Sequence, residues 1–466
     1  MDKFLFVLGS NFQLSLAELD NVLHYSNFKG KIVDYSANIA VVEFEKILKE
    51  KHYINELMEL QYMLGGSQKI VKVFDFIHTN ILEEAFPLFI EKYKQVSKSR
   101  GRILDTVKAV LPNIFPKIRG ENIFFAISIY PNFYDDRYYS DVLVKHFLPF
   151  LNTEIMKILL EMGAKKSLYF QYPEKNIKEG NLNPIFPHHL IKYGLFNKDR
   201  AEIVFALTEE GLYIGRTFVC DDPNFKKKID EERPVKEFRS AISPKLAIIL
   251  LNFLNLFETR NKKKILDPFV GNGSILLFGI LEDFEVYGSD IDIQKVESTL
   301  RNVYWLLNEL EEPVPYLLRE RIRKIEIKDL NKHYELNFFD GICSEPDLGP
   351  FYTQKPIFEE TMKLIENQLN PLYSEIFKQA RFLLKPNHRM VITAPIISTL
   401  EGEDLQLNLE KLGIENNFKL IPVLDVDRII NKSDNRLQFK KSSVKSLLDA
   451  KKGQVIKRKI YIFEKL

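Results

Sequence analysis

Across residues 1–172, short apolar runs alternate with amphipathic stretches. FLFVLG (4–9), KIVDYS (31–36), IAVVEFE (39–45), KIVKVFDF (69–76) and NIFFAISIY (122–130) have the period and the β-branched or aromatic content of strands. LAELDNVLHY (16–25), INELMELQYML (54–64) and the stretch from about Asp141 to Met162 repeat their apolar positions at helical spacing. The start of the chain reads as a strand followed by a helix capped at Ser15, without the basic flank and cleavage site of a secretory leader. Such alternation predicts a small α+β region.

From Ala164 to about Arg233 the pattern loosens. NLNPIFPHH (181–189) and CDDPNFKKKIDEERP (220–234) are rich in Asn, Pro and charge, as connectors are. The period returns at Ser243-Pro244, where Ser caps a helix and Pro takes its first position. Leu246, Ile249, Leu250, Phe253 and Phe257 form one apolar face there. KKILD, SILLFGILEDF, EVYGSD and KVESTLRNVYWLL then read strand, helix, strand, helix, which predicts βαβ units and a parallel sheet. KIEIKDL reads as a third strand ending at Asp329, and FFDGIC as another. The tail from about Val423 suggests a strand, a polar excursion and a final strand, VIKRKIYIFEKL, closing a hairpin at the sheet edge.

A chain of 466 residues, 45% hydrophobic and 28% charged, fits two or three globular domains. No apolar run approaches the roughly 18 residues of a membrane span. Two cysteines, Cys220 and Cys343, are too few for a disulfide framework or a cysteine-built zinc site, and they fit a reducing, cytoplasmic compartment. A net charge of +2 leaves nucleic-acid affinity to a local patch. One candidate runs from Lys92 to Arg119, where Lys98, Arg100, Arg102 and five further basic residues face Asp105 alone. Such a stretch suits either a solvated helix face or a phosphate-binding surface.

The turn Asp267-Pro268-Phe269-Val270-Gly271-Asn272-Gly273-Ser274 sits between the first strand and helix of the C-terminal half. In doubly wound sheets, ligands bind at the carboxyl ends of the strands. Gly271 and Gly273 allow positive φ and close approach to the backbone. The next helix offers free N–H groups to an anion, and Asp267 could hold an ammonium. A methionine-type ligand carries both groups. Asp290, at the end of the next strand, could accept from ribose hydroxyls, and Asp329 from an adenine amine. The set suits S-adenosylmethionine, although a glycine turn with one acidic residue also serves NAD or a nucleotide.

The run from Asp267 to Gly273 resembles the S-adenosylmethionine-binding motif of Rossmann-fold nucleic-acid methyltransferases that modify exocyclic amines. Arg233-Pro234 and Ala241-Ile242-Ser243-Pro244-Lys245-Leu246-Ala247 are similar to the segment leading into that motif in THUMP-domain tRNA guanine-N2 methyltransferases. Leu64-Gly65-Gly66-Ser67-Gln68-Lys69-Ile70 and Gly215-Arg216-Thr217 resemble signatures of the same group. The resemblance implies an N-terminal ferredoxin-like and THUMP-like RNA-binding region (1–172), a linker (173–232) and a Rossmann-like methyltransferase domain (233–466). It implies that Asp267, Phe269, Gly271, Gly273, Asp290 and Asp329 bind S-adenosylmethionine, that tRNA is the substrate, and that no metal is needed. It also favours RNA contact at Lys98, Arg100 and Arg102.

In that family a strand end carries Asp, Asn or Ser, then two prolines and an aromatic residue, which hold the target amine and stack on its base. The corresponding segment here is Ser344-Glu345-Pro346-Asp347-Leu348-Gly349-Pro350. Aligned at Ser344, Asp347 replaces the aromatic residue. Aligned at Gly349, Glu345 takes the acidic place and Leu348 the aromatic one. Ser344, Glu345, Pro346 and Asp347 are the candidates for holding the amine, and Phe351 or Tyr352 could supply a ring. A catalytically altered RNA-binding protein and a DNA amine methyltransferase are the alternatives. Cys343 reads as a packed thiol, His188-His189 as a loop pair pointing apart, and Trp305 as core. Tyr169, Phe170 and Tyr172 beside Lys165 and Lys166 fit either base stacking or a strand.

Overall fold

The computed structural model describes residues 2–45, 53–87, 93–133, 142–171, 185–236, 242–258, 261–440, 444–451 and 453–466. The first six elements are β1 (Lys3–Leu8), α1 (Phe12–Tyr25), β2 (Gly30–Tyr35), β3 (Ile39–Phe44), α2 (Tyr53–Met63) and β4 (Ser67–His78). Their strands pair antiparallel in the order β2-β3-β1-β4, the βαββαβ ferredoxin-like arrangement. Asn11, not Ser15, caps α1: its side chain accepts from Leu14 N at 3.3 Å, and the Ser15 hydroxyl donates back to Asn11 O. The helix starts earlier because Phe12 and Leu14 also have apolar partners.

The chain continues through α3 (Thr79–Ala85), α4 (Tyr93–Ile114), β5 (Asn122–Tyr130), α5 (Leu148–Glu161), β6 (Lys166–Tyr169), α6 (Pro187–Tyr193), β7 (Arg200–Leu207) and β8 (Gly211–Cys220). These strands extend the same sheet, whose full order is β2-β3-β1-β4-β8-β7-β5-β6. The stretch 173–232 is therefore no simple linker. Residues 173–184 and Tyr172 lie outside the described residues, but β7 and β8 sit centrally, with β8 along β4. Their apolar residues are buried on both faces, while the polar flanks that make the segment look like a connector lie at its ends.

The C-terminal half begins with α7 (Pro223–Glu232) and α8 (Pro244–Asn252), whose cap Ser243 accepts from Leu246 N. Then come β9 (Lys264–Asp267), α9 (Ser274–Leu281), β10 (Glu285–Asp290), α10 (Ile293–Glu309), β11 (Ile322–Lys324), β12 (Phe339–Ser344), α11 (Asn370–Leu383) and β13 (Leu384–Ser398). β14 (Asp404–Gln406), β15 (Phe418–Ile421), β16 (Leu447–Asp449) and β17 (Ile456–Lys465) complete it. The sheet order is β11-β10-β9-β12-β13-β17-β15, parallel from β11 to β13, with β17 antiparallel to both neighbours. The last strand thus inserts between β13 and β15: it pairs antiparallel with β15 across the polar excursion, as expected of a hairpin, but β15 and not the final strand forms the sheet edge. The buried run Ile460–Phe463 of β17 needs cover that an edge would not give.

The halves meet along α1 and α8. Glu18 accepts from Gly65 N, Gly66 N and Asn252 Nδ2 at 2.9, 2.7 and 2.7 Å. A Cβ on Gly65 would lie 2.4 Å from Lys245 O, which explains a glycine at that crossing. The excursion between β15 and β16 crosses to the N-terminal sheet, where Leu437 is fully buried and its carbonyl accepts from Tyr35 Oη. No described helix is long and apolar enough to cross a membrane.

Candidate active site

Strand order reverses between β9 and β12, and such a switch opens a crevice at the carboxyl ends of a parallel sheet. A cleft of about 970 Å³ lies there, lined by Asp267, Asp290, Glu345, Phe351 and Arg458 among others. Asp267, the last residue of β9, is buried and accepts from the Ser344 hydroxyl at 2.6 Å and from Phe269 N at 3.1 Å. Burial pushes its carboxyl up to about 7, against the pull of those donors.

The glycine turn is tied down by three side chains, Asp290, Thr299 and Asn302. Gly271 has φ +51° and open space where a Cβ would stand. Its N–H donates to Asp290 at 3.1 Å, and its carbonyl accepts from Thr299 Oγ1 at 2.8 Å. Asn302 donates to Asn272 O. Gly273, at φ +81°, precedes α9; a Cβ there would meet Thr299 at 2.8 Å. Phe269 is half-buried and lines the cleft. The turn thus carries its side-chain contacts on one side and leaves Gly271 open on the other.

Asp329 does not line the cleft. β11 ends at Lys324, level with Asp290, and the chain then turns into a 3-10 helix, Ile327–Lys332. Asp329 sits in that helix, paired with Lys332 at 2.5 Å, which holds its carboxyl below the usual range. The apolar alternation of KIEIK looks like a strand, but Ile325 and Leu330 reach the core from a turn.

The segment after β12 divides into two roles. Ser344 is buried and spent on Asp267, so it does not face the cleft. Glu345, Pro346 and Asp347 do line it. Asp347 is exposed and accepts from Gly349 N at 3.0 Å. Phe351 stands 71% exposed on the cleft wall. Glu345 is gripped by Arg458, whose Nε and Nη2 donate to its two oxygens at 2.5 and 3.0 Å. The sequence carries no sign of Arg458 in this role, because it lies 113 residues away on β17. Lys295 and the run Gly453–Ile456 join the lining in the same way.

Other residues fall elsewhere. Cys343 is fully buried, which raises its thiol well above the ordinary range. His188 and His189 open α6, and their rings sit 4.0 Å apart, so they neither lie in a loop nor diverge. Trp305 packs on the core. Tyr169 lies against Phe125, and Phe170 against Tyr193. On α4, Lys98 and Arg102 are exposed one turn apart, whereas Arg100 is held by Ala85 O at 3.0 Å and stacks on Phe86. Lys92 and the side chain of Lys94 lie outside the described residues.

No family model matches the chain. It is 32% identical over 122 residues to a probable tRNA (guanine(10)-N2)-dimethyltransferase of Methanothermococcus thermolithotrophicus, covering 25% of this chain and 67% of that protein. It is 37% identical over 167 residues to the tRNA (guanine(10)-N2)-dimethyltransferase of Methanothermobacter thermautotrophicus, covering 35% of this chain and 44% of that protein. The match thus spans less than half the length of the second relative. The crystal structure of TrmN from Thermus thermophilus aligns over all of both chains with a TM-score of 0.51 at 14% identity, a likeness of fold. With two thirds of a relative matched at that level of identity, the chain belongs to the family of tRNA guanine-N2 methyltransferases.

Proposed function

We propose that this protein transfers a methyl group from S-adenosylmethionine to the exocyclic N2 amine of a guanosine in tRNA. The observation that carries this reading is the convergence of Asp267, Asp290 and Glu345, from the ends of three neighbouring strands, on one cleft beside a glycine turn. The named relatives support the choice of substrate.

The residues present fit the cofactor. Asp267 is a buried carboxylate that an ammonium would keep ionised, and Asp290 can accept from ribose hydroxyls while tethering the turn. Gly271 leaves room for close approach, and the N-terminus of α9 faces the same turn. S-adenosylmethionine supplies a methyl group on a sulfonium, so the protein's task is alignment, worth several powers of ten in rate. Glu345 would accept a hydrogen of the target amine, whose lone pair is otherwise delocalised into the ring. Phe351 would stack on the base. Lys98 and Arg102 would meet RNA phosphates, and the protein would work in the cytoplasm. Digestion and mass spectrometry of tRNA incubated with protein and cofactor is the test. N2-methylguanosine is expected; a chain that binds cofactor and leaves tRNA unmodified would be an RNA-binding relative.

A further inference from the structure

We propose that Arg458 is a positioning residue for this transfer, holding Glu345 as a fixed, ionised acceptor for one hydrogen of the target amine. The inference rests on the function proposed above. Arg458 stands opposite Pro395 of β13 and lines the cleft. Its guanidinium meets the carboxylate as a fork, with Nε on Oε2 and Nη2 on Oε1. That geometry sets the plane of the carboxylate as well as its place. Thr393 Oγ1 adds a longer contact to Oε2 at 3.4 Å. A carboxylate offers about four lone-pair sites. These donors leave Oε1 room for one more, which suits a single amine hydrogen.

The charge matters as much as the geometry. A protonated Glu345 would lose its charge and turn one oxygen into a donor, leaving only a weaker neutral acceptor for the amine N–H. Burial pushes the carboxyl up, and Arg458 is the main influence pulling it back. Asp449 on β16 and Asp267 on β9 lie within electrostatic reach of Glu345, and Asp449 also stands 3.9 Å from Arg458 Nη1. Tyr373 on α11 is near as well but stays a neutral phenol whose hydroxyl donates to Thr393 O. Without the guanidinium, burial and the two carboxyls would drive Glu345 further towards its neutral form.

The experiment compares Arg458→Met and Arg458→Lys with the wild-type chain on tRNA, with cofactor affinity measured alongside by calorimetry. Arg458→Met is expected to lower kcat about 100-fold near neutral pH, the scale of a misplaced catalytic group. KM for tRNA and cofactor affinity should stay unchanged. Because Glu345 would then ionise only at higher pH, the lost rate should return as pH rises. Arg458→Lys, which keeps the charge but not the fork, should recover part of the rate at neutral pH. Carboxyl-labelled glutamate, assigned with Glu345→Gln, should show by NMR a higher titration midpoint for Glu345 in Arg458→Met. An unchanged kcat and pH profile, or an unmoved midpoint, would overturn the proposal. A wild-type chain that binds cofactor but methylates no tRNA overturns the functional reading alone, since the titration still decides whether Arg458 sets the charge of Glu345.

Discussion

Lys432, from the C-terminal half, makes a buried ion pair with Asp34, from the N-terminal half, and their side chains are 1% and 3% exposed. Asp34 also accepts from Tyr213 Oη at 2.9 Å and Tyr35 N at 2.8 Å. Next to it, Glu209 accepts from Ser433 N, Ser433 Oγ and Asp434 N. The excursion between β15 and β16 is therefore a strap that binds the two sheets together.

Breaking one side of that pair leaves a buried charge without its counterion. Lys432→Met should destabilise the protein by about 3–5 kcal/mol, and the Lys432→Met/Asp34→Leu double variant by less. Thermal unfolding of the three proteins checks this; a harmless single replacement would show that the strap is not held there.

The Glu18 junction makes a second stability prediction. Gly65→Ala forces a methyl against the Lys245 carbonyl and should cost about 1–3 kcal/mol, as overpacking does. Gly271→Ala has open space, and its penalty comes from the positive φ alone. Denaturant unfolding should rank Gly65→Ala as the worse of the two.

Cofactor affinity should depend on pH through Asp267. Burial pushes its carboxyl up to about 7 in the folded protein, well above the ordinary aspartate range, so the folded protein holds this proton more readily than the unfolded chain does. The stability it contributes is fully present below the unfolded value and is lost as pH rises through about 7. An ammonium ligand prefers the ionised form, so cofactor binding should tighten over the same rise and release a proton. Calorimetry in two buffers of different ionisation heat reads that proton directly. Asp267→Asn should bind weakly and without this dependence.

Asp290 holds the glycine turn from below, through Gly271 N. Asp290→Ala should weaken cofactor binding by about 1–3 kcal/mol, the scale of lost charge-assisted hydrogen bonds. Isothermal titration measures it, and unaltered affinity would remove Asp290 from the site.

On α4, the three basic candidates should separate. Lys98→Ala with Arg102→Ala should weaken tRNA binding and flatten its salt dependence, because fewer counterions are released. Arg100→Ala should lower the melting temperature instead, since it removes a contact to Ala85 O and a stacked cation on Phe86. Gel-shift titrations at two salt concentrations and a melting curve distinguish the roles.

Local pattern alone determined β1 to β5, β9, β10, β12 and β17, the Ser243-capped helix, the glycine turn and the acidic ends of β9 and β10. Each of these depends on residues adjacent in the chain: a period of two or 3.6, a cap, or a positive φ. The same local signal misled at Asp329, where two apolar residues reach the core from a turn, and at 173–232, where polar flanks hide two buried strands. Only tertiary structure decided that Ser344 serves Asp267, that Arg100 packs inward and that Gly65 marks a crossing of two halves. It also brought Arg458 to Glu345, because strand insertion places β17 beside β13 and so joins residues 113 positions apart. No periodicity encodes that pairing, since it exists only once the last strand has taken its place inside the sheet.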